Sequence, residues 1–236
     1  MLKRFGGQRP NIVTLLATFA CKEGLNNERY YLLFPWADSD LLGFWQKLEK
    51  PKRDHQNLCW ISNQCYGIID AIAYIHEPGI TNDKNEPLYG RHGDIKPENV
   101  LWFCRDQKEI LVLSDLGLAA EHRDATRSNI PGLSVPVTPN YRPPECDIDG
   151  PEGFINRSFD IWTLGCLFME FIVWILRGWE GRQRFKIERC STNIDVAGKD
   201  IYYEVMRSPD EEDKIVFKIK DVVEEASRKR IKSSRE

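Results

Sequence analysis

Nine residues, Arg91–Asn99 (RHGDIKPEN), restrict this chain more than any others. Asp94 and Lys96 stand two residues apart with opposite charge, Pro97 and Glu98 follow, and Asn99 closes the run. An ordinary loop has no need of that order. Behind it, Val100–Cys104 and Ile110–Leu113 are apolar runs on either side of RDQKE, which is the signature of a β-hairpin. A turn centred on Asp106–Gln107 sets Asn99 opposite Ser114 and brings Asp115 beside Asn99.

Those residue types suggest a chemistry. Asp94 is a candidate proton acceptor and Lys96 a candidate clamp for an anion. Asn99 and Asp115 are two oxygen ligands converging at one end of the hairpin, and Mg²⁺ takes one or two protein oxygens together with phosphate oxygens. Base, clamp and metal ligands are what phosphoryl transfer asks of a protein. Taken alone, Asp115–Leu116–Gly117 reads equally well as a simple turn after a strand.

The remaining chain reads as a mixed fold. Asn11–Cys21 and Arg29–Phe34 are β-branched and apolar around the polar KEGLNNE, a second hairpin signal. Ala37–Lys50 reads as a short helix capped by Asp38 or Ser39. From Leu58 to His76, the apolar residues Leu58, Ile61, Cys65, Ile68, Ile72 and Ile75 step by three and four along one helical stripe. Leu118–Pro139 is long, polar and irregular, and loops of that length tend to be functional. Ser158 should cap a helix whose body is apolar nearly all round and therefore central. Beyond Arg177 the periodicity fades, with weaker signals in Asp200–Met206 and Ile215–Ala226.

Composition excludes some classes. The net charge of −3 implies no general affinity for nucleic acid. The most apolar stretch, Ile161–Leu176, contains Glu170 and is shorter than the roughly 18–20 residues of a membrane span, so a core helix is expected and no membrane partner. No signal peptide follows MLKRFGGQRP. Seven cysteines without a CxxC pair favour free thiols in a reducing interior, cytoplasmic or nuclear. RKRIKSSRE at 228–236 carries five basic residues in nine and reads chiefly as a solvated tail, with a polyanion patch as the minor alternative.

Together these segments resemble the eukaryotic protein kinase catalytic domain. His92–Gly93–Asp94 through Asn99 is similar to the catalytic loop HRDxKPEN, in the form usual for serine/threonine kinases. Asp115–Leu116–Gly117 resembles DFG, Thr138–Glu145 (TPNYRPPE) the TxxYxxPE segment, and Asp160, Trp162 and Gly165 the DxWxxG helix start. The style of the segments resembles divergent kinase-like proteins of filamentous fungi. The resemblance implies an α+β, protein-kinase-like fold: a small-lobe remnant of two strands and hinge (1–36), a helical large lobe (37–227) and a basic tail (228–236). It also implies a function, transfer of the ATP γ-phosphate to a protein hydroxyl with Mg²⁺. Asp94 would orient and deprotonate that hydroxyl, Lys96 would touch the γ-phosphate, and Asn99 and Asp115 would hold Mg²⁺. Thr138 would bond to Asp94 and Lys96, Asp160 would hold the loop backbone, and Glu145 would pair with a late Arg. Leu33 would guard the adenine pocket, and Phe34 C=O and Trp36 N–H would read adenine.

The sequence departs from the pattern in places. No Gly-rich loop, third-strand Lys or helical Glu can be placed before Asn11. Gly93 replaces the Arg that normally meets a phosphate on the activation loop, which puts switching by Thr126, Ser128 or Ser134 in question. Two readings therefore stand side by side: an active serine/threonine kinase, or an inactive pseudokinase or fragment acting as an interaction module. A small-molecule kinase, which also shows HGD…N, weighs least against KPEN, TxxYxxPE and DxWxxG. An exposed apolar patch is expected around Leu33, Phe34 and Trp36.

Overall fold

The computed structural model describes residues 6–22, 28–81, 85, 88–116, 120–122, 138–147, 156–190, 200–207 and 215–228. The chain divides into two compact units, Met1–Phe44 with Leu58–Thr126, and Trp45–Asn57 with Arg127–Glu236. Small antiparallel sheets and helices alternate in it, as in an α+β protein-kinase-like fold.

The first unit is built around the predicted hairpin. Strands β1 (Ala17–Lys22) and β2 (Glu28–Leu33) pair with each other; β3 (Ser39–Asp40) pairs with β5 (Val100–Arg105), and β5 with β6 (Lys108–Leu113). Arg105 faces Lys108 across a two-residue turn in which Asp106 (φ 49°) and Gln107 (φ 64°) both have positive φ. That is the turn geometry whose twist matches paired strands. β4 (Tyr89–Arg91) pairs with β7 (Ala120–His122).

The predicted first strand is shorter than its apolar run. Asn11–Val13 instead docks along β6: Leu113 N–H donates to Asn11 O at 2.8 Å and Val13 N–H to Leu113 O at 2.9 Å. Ile12 and Val13 are buried there, which is why the segment is apolar without belonging to the β1–β2 hairpin. The helix α2 (His55–His76) buries Ile61, Ile68, Ile72 and Ile75 of the three-and-four stripe, with Ala71 beside them, whereas Cys65 is partly buried and Leu58 is exposed. Gln64 belongs to the same buried face because its Oε1 accepts Leu111 N–H at 2.9 Å. A buried backbone donor must find a partner, and an amide side chain supplies it.

Helix caps fall one or two residues from their expected places. α1 (Leu41–Leu48) is capped by Asp40, whose Oδ1 accepts Gly43 N–H at 2.7 Å, rather than by Asp38 or Ser39. Asp38 is spent elsewhere, its Oδ2 accepting Cys104 N–H at 2.8 Å. α2 starts at Asp54, whose Oδ1 takes Asn57 N–H at 2.8 Å. Ser158 does not cap α3 (Ser158–Arg189): Asn156 Oδ1 accepts Ser158 N–H at 2.6 Å, and the Ser158 hydroxyl turns to Glu145 Oε1 at 3.2 Å.

α3 organises the second unit and is 32 residues long, well past the point where periodicity faded. Gly178 interrupts it with φ 74° and ψ −172°, a backbone that L side chains rarely adopt. A Cβ there would lie 2.8 Å from Glu49 O, so the break also needs glycine for space. By length and composition α3 could cross a membrane, yet 56% of its most apolar window is buried inside the fold, as in a core helix. Trp45, Phe171 and Trp174 pack together at its centre, with Trp174 Nε1–H donating to Trp45 O at 3.1 Å. Beyond α3, β8 (Tyr203–Arg207) pairs with β9 (Ile215–Ile219), and α4 (Asp221–Arg228) buries Val223 and Ala226 against Tyr141, Cys166, Phe185 and Tyr202.

Glu170, which interrupts the apolar run, is the hub of a buried charge network. Its Oε2 accepts Arg182 Nε–H at 2.9 Å and its Oε1 accepts Arg189 NH2 at 3.0 Å. Arg189 Nε–H also donates to Asp200 Oδ1 at 2.7 Å, and Tyr202 OH lies 3.0 Å from Glu170 Oε1. The Arg189 guanidinium is wholly buried, 4.2 Å from the ring centres of both Phe185 and Tyr202. Burial pushes the Tyr202 phenol well above its ordinary pKa.

Candidate active site

The catalytic-loop residues meet within the first unit. Leaving β4, the chain passes the buried His92 and turns at Gly93, whose φ is +85°. Glycine reaches that left-handed region at no steric cost, so the backbone itself favours Gly where the family pattern has Arg. Pro97 opens a single 3₁₀ turn, Pro97–Asn99, in which Asn99 N–H donates to Lys96 O at 3.0 Å. The missing proline N–H is harmless at a first helical position.

That short turn brings three of the predicted side chains together. Asn99 Nδ2 donates to Asp94 O and to Asp94 Oδ2, each at 2.8 Å. Lys96 Nζ lies 2.7 Å from Asp94 Oδ2. Asp94 and Asn99 are buried, while Lys96 keeps about a fifth of its side chain exposed, 22%. With both amide hydrogens on Asp94, the donor that Asn99 keeps for a cation is its carbonyl Oδ1, a hard oxygen suited to Mg²⁺.

The hairpin register brings in the fourth. Val100 faces Leu113, Ser114 N–H donates to Asn99 O at 2.9 Å, and Asp115 is the next residue. Asp115 is exposed, with φ +56°, and the following Leu116 is buried. Two oxygen donors at this end, Asn99 Oδ1 and the Asp115 carboxylate, fit the few protein ligands Mg²⁺ uses beside phosphate. Gly117 lies outside the described residues, as do Thr126, Ser128, Ser134 and most of the basic tail.

Two further residues tie the site together, Ser114 and His92, to which the sequence reading had given no role of their own. The Ser114 hydroxyl donates to Asn99 O at 3.0 Å, so that carbonyl accepts two bonds from one residue. His92 Nε2 lies 3.0 Å from Ser114 O, and a carbonyl only accepts, so Nε2 carries the proton. Its Nδ1 then accepts Asp94 N–H, 3.3 Å away. Asp94, Asn99, Ser114 and His92 thus share one hydrogen-bonded circuit. The register, which sets Ser114 opposite Asn99, was the available signal.

At the predicted hinge, Leu33 and Trp36 are 50% and 86% exposed and Phe34 is half-buried. Leu33 O accepts Leu16 N–H at 2.9 Å, and Trp36 O accepts Arg105 NH2 at 3.0 Å. Among the described residues neither Phe34 C=O nor Trp36 N–H has a partner.

Thr138 and Asp160 belong to the second unit, Thr138 ahead of the Pro139–Tyr141 turn and Asp160 fully buried at the start of α3. The expected ion pair of Glu145 is not formed among the described residues. Its side chain meets the Ser158 hydroxyl, and the buried arginines of this unit, Arg182 and Arg189, are taken by Glu170 and Asp200. Two carboxylates already at the arginines' level outcompete one at the far end of α3.

Comparison with known proteins agrees with this geometry. Residues 1–232 match the protein kinase domain family. Over 86% of the chain, the sequence is 25% identical to "Serine/threonine-protein kinase SSN3" of Yarrowia lipolytica, covering 45% of that protein. It is 28% identical to "Cyclin-dependent kinase 2" of Caenorhabditis elegans over 69% of the chain and 38% of that protein. It is 26% identical to "Calcium/calmodulin-dependent protein kinase type 1" of Macrobrachium nipponense over 68% of the chain and 39% of that protein. The chain thus spans less than half the length of these relatives. With an ordered HGDxKPEN loop on its hairpin and a family match over nearly its whole length, the chain belongs to the protein kinase domain family.

Proposed function

We propose that this chain is a serine/threonine protein kinase domain that transfers the γ-phosphate of ATP to a protein hydroxyl. The observation that carries the reading is the Asp94–Lys96–Asn99 cluster, held together by contacts of 2.7–2.8 Å in a loop whose register sets Ser114, the residue before Asp115, against Asn99. Asp94 orients the attacking hydroxyl and takes its proton as the oxygen bonds to the γ-phosphorus and ADP leaves. Lys96, paired with Asp94, meets the negative oxygens of the transferring group at the same point. Asn99 Oδ1 and the Asp115 carboxylate would hold Mg²⁺, which would supply neutralisation of the phosphate charge, and Phe34 C=O and Trp36 N–H would read adenine beside Leu33. Such a reaction depends on positioning and electrostatics rather than covalent help, so the preformed loop is the relevant asset. Seven free thiols accord with a reducing, intracellular setting.

The test is phosphotransfer from labelled Mg·ATP to a Ser/Thr peptide library, run beside Asp94→Asn. Transfer that the variant abolishes supports the kinase reading. No transfer and no ATP-dependent thermal shift would leave the interaction-module reading standing.

A further inference from the structure

Two exposed side chains of the first unit fasten the segment after β2 to β5. Asp38 Oδ2 accepts Cys104 N–H at 2.8 Å, while Asp38 N–H donates to Trp102 O at 3.0 Å. One residue further along β5, the Arg105 guanidinium donates to Trp36 O at 3.0 Å. The partners of that last bond are 69 residues apart in the chain. β5 begins at Val100, directly after Asn99, so one strand carries the Arg105 contact at its far end and adjoins the metal-ligand amide at its start.

The contact sets a backbone that side-chain packing does not. Trp36 is 86% exposed and is therefore held chiefly through its main chain. Pro35 locks its own φ at about −65° and biases Phe34 toward extended backbone. Arg105 fixes the other side by holding the Trp36 carbonyl. Phe34 C=O and Trp36 N–H, the two groups assigned to adenine, lie between these restraints. Two groups held in register lose less freedom when a planar base binds them. Arginine suits the task because its guanidinium is always protonated and only donates, so a carbonyl is a lasting partner at any working pH.

We propose that Arg105 is a positioning residue that presets the Phe34–Trp36 backbone for an adenine ring, an inference that rests on the reading of this site as an ATP site. The probes are adenosine and Mg·tripolyphosphate, titrated into the full chain by calorimetry. The first carries the base without phosphate charge, the second the charge without a base. Arg105→Met keeps the aliphatic stem and removes the donors. It should weaken adenosine by about five- to tenfold, the worth of one hydrogen bond, and leave the response to tripolyphosphate and the Tm unchanged. In the transfer assay, KM for ATP should rise by the same factor at constant kcat. Arg105→Lys retains a donor for this single bond and should bring adenosine back to within about twofold of wild type. Equal weakening of both probes would make Arg105 only a source of charge and overturn the proposal. So would unchanged adenosine binding in Arg105→Met, or no adenosine binding by the wild-type chain. Phosphotransfer indifferent to Arg105→Met would leave the kinase reading standing and sink this one. Adenosine binding that depends on Arg105, in a chain that transfers no phosphate, would do the reverse.

Discussion

The chain gathers charge in two places and treats it in opposite ways. Around Glu170, Arg182, Arg189 and Asp200, side chains are 0–9% exposed and each charge meets an opposite one. In the catalytic loop, Lys96 is 22% exposed and Asp115 is open to solvent, although Asp94 and Asn99 are buried. The first arrangement pairs every charge, although Arg189 Nη1 is buried without a hydrogen-bond partner among the described residues, and it holds structure. The second leaves the Lys96 ammonium partly exposed and the Asp115 carboxylate at the surface, next to the buried Asp94 and Asn99. Burial of charge is costly and is offset by pairing, whereas chemistry needs groups that solvent and substrate can reach.

The largest effect that would break this contrast concerns Asp94. Asp94→Asn should lower phosphotransfer by about 10²–10⁴-fold with little change in Tm, the range typical of losing a general base. A variant that unfolds without a specific rate effect would make the loop as structural as the Glu170 network. Next comes Glu170→Gln, which leaves Arg182 and Arg189 without their common anion. Breaking a buried pair typically costs about 3–5 kcal/mol, read as a lower denaturant midpoint. Joint replacement of Glu170, Arg182, Arg189 and Asp200 by apolar residues should recover much of that loss; continued instability would assign the network more than pairing.

Ser114→Ala sharpens the comparison from the loop side. It removes one of two bonds to Asn99 O and should weaken apparent Mg²⁺ affinity in the transfer assay by about tenfold, the lower end for partners behind a metal ligand. Ser114→Thr should restore it. An unchanged Mg²⁺ dependence in Ser114→Ala would mean the circuit is merely structural. Gly93→Ala places a Cβ at φ +85° and should cost about 1–2 kcal/mol, measured by urea unfolding.

The smallest effect is in alkali. Tyr202 and Tyr203 are raised above the ordinary phenol value of 10 by burial, and Tyr203 further by its bond to Asp147. Their proton-bearing forms are favoured in the fold, so stability is intact below pH 10 and falls as pH rises past it. Tyr203→Phe should flatten that fall in a series of melting curves from pH 9 to about 11.5; an unaltered slope would show that other groups cause it.

The site was more legible in the sequence than the framework around it. Loop, hairpin and register are local: Asp106 and Gln107 lie between the strands they join, so Asn99 and Ser114 could be set opposite each other by counting. The α2 stripe was legible for the same reason, since i+3 and i+4 neighbours are fixed by helical geometry. Gln64 escaped the pattern because its partner, Leu111 N–H, is 47 residues away. Caps slipped by a residue or two because Asp38, Ser39 and Asp40 are chemically alike, and the bond from Cys104 to Asp38 removes one candidate. The helix beyond Gly178 was hidden because a break at positive φ resets the periodicity there.

By itself, the sequence determined the order of Asp, Lys and Asn in Arg91–Asn99 and the strand pairing that sets Ser114, the residue before Asp115, against Asn99. Short-range geometry permits few alternatives over so few residues. Only the tertiary structure decided which charges would be spent. Arg189 goes to Glu170 and Asp200 and not to Glu145, and Ser158 turns to Glu145 instead of capping its helix. Those choices are made between groups distant in the chain, where competing electrostatic partners differ by burial and reach, quantities that exist only once the fold is formed.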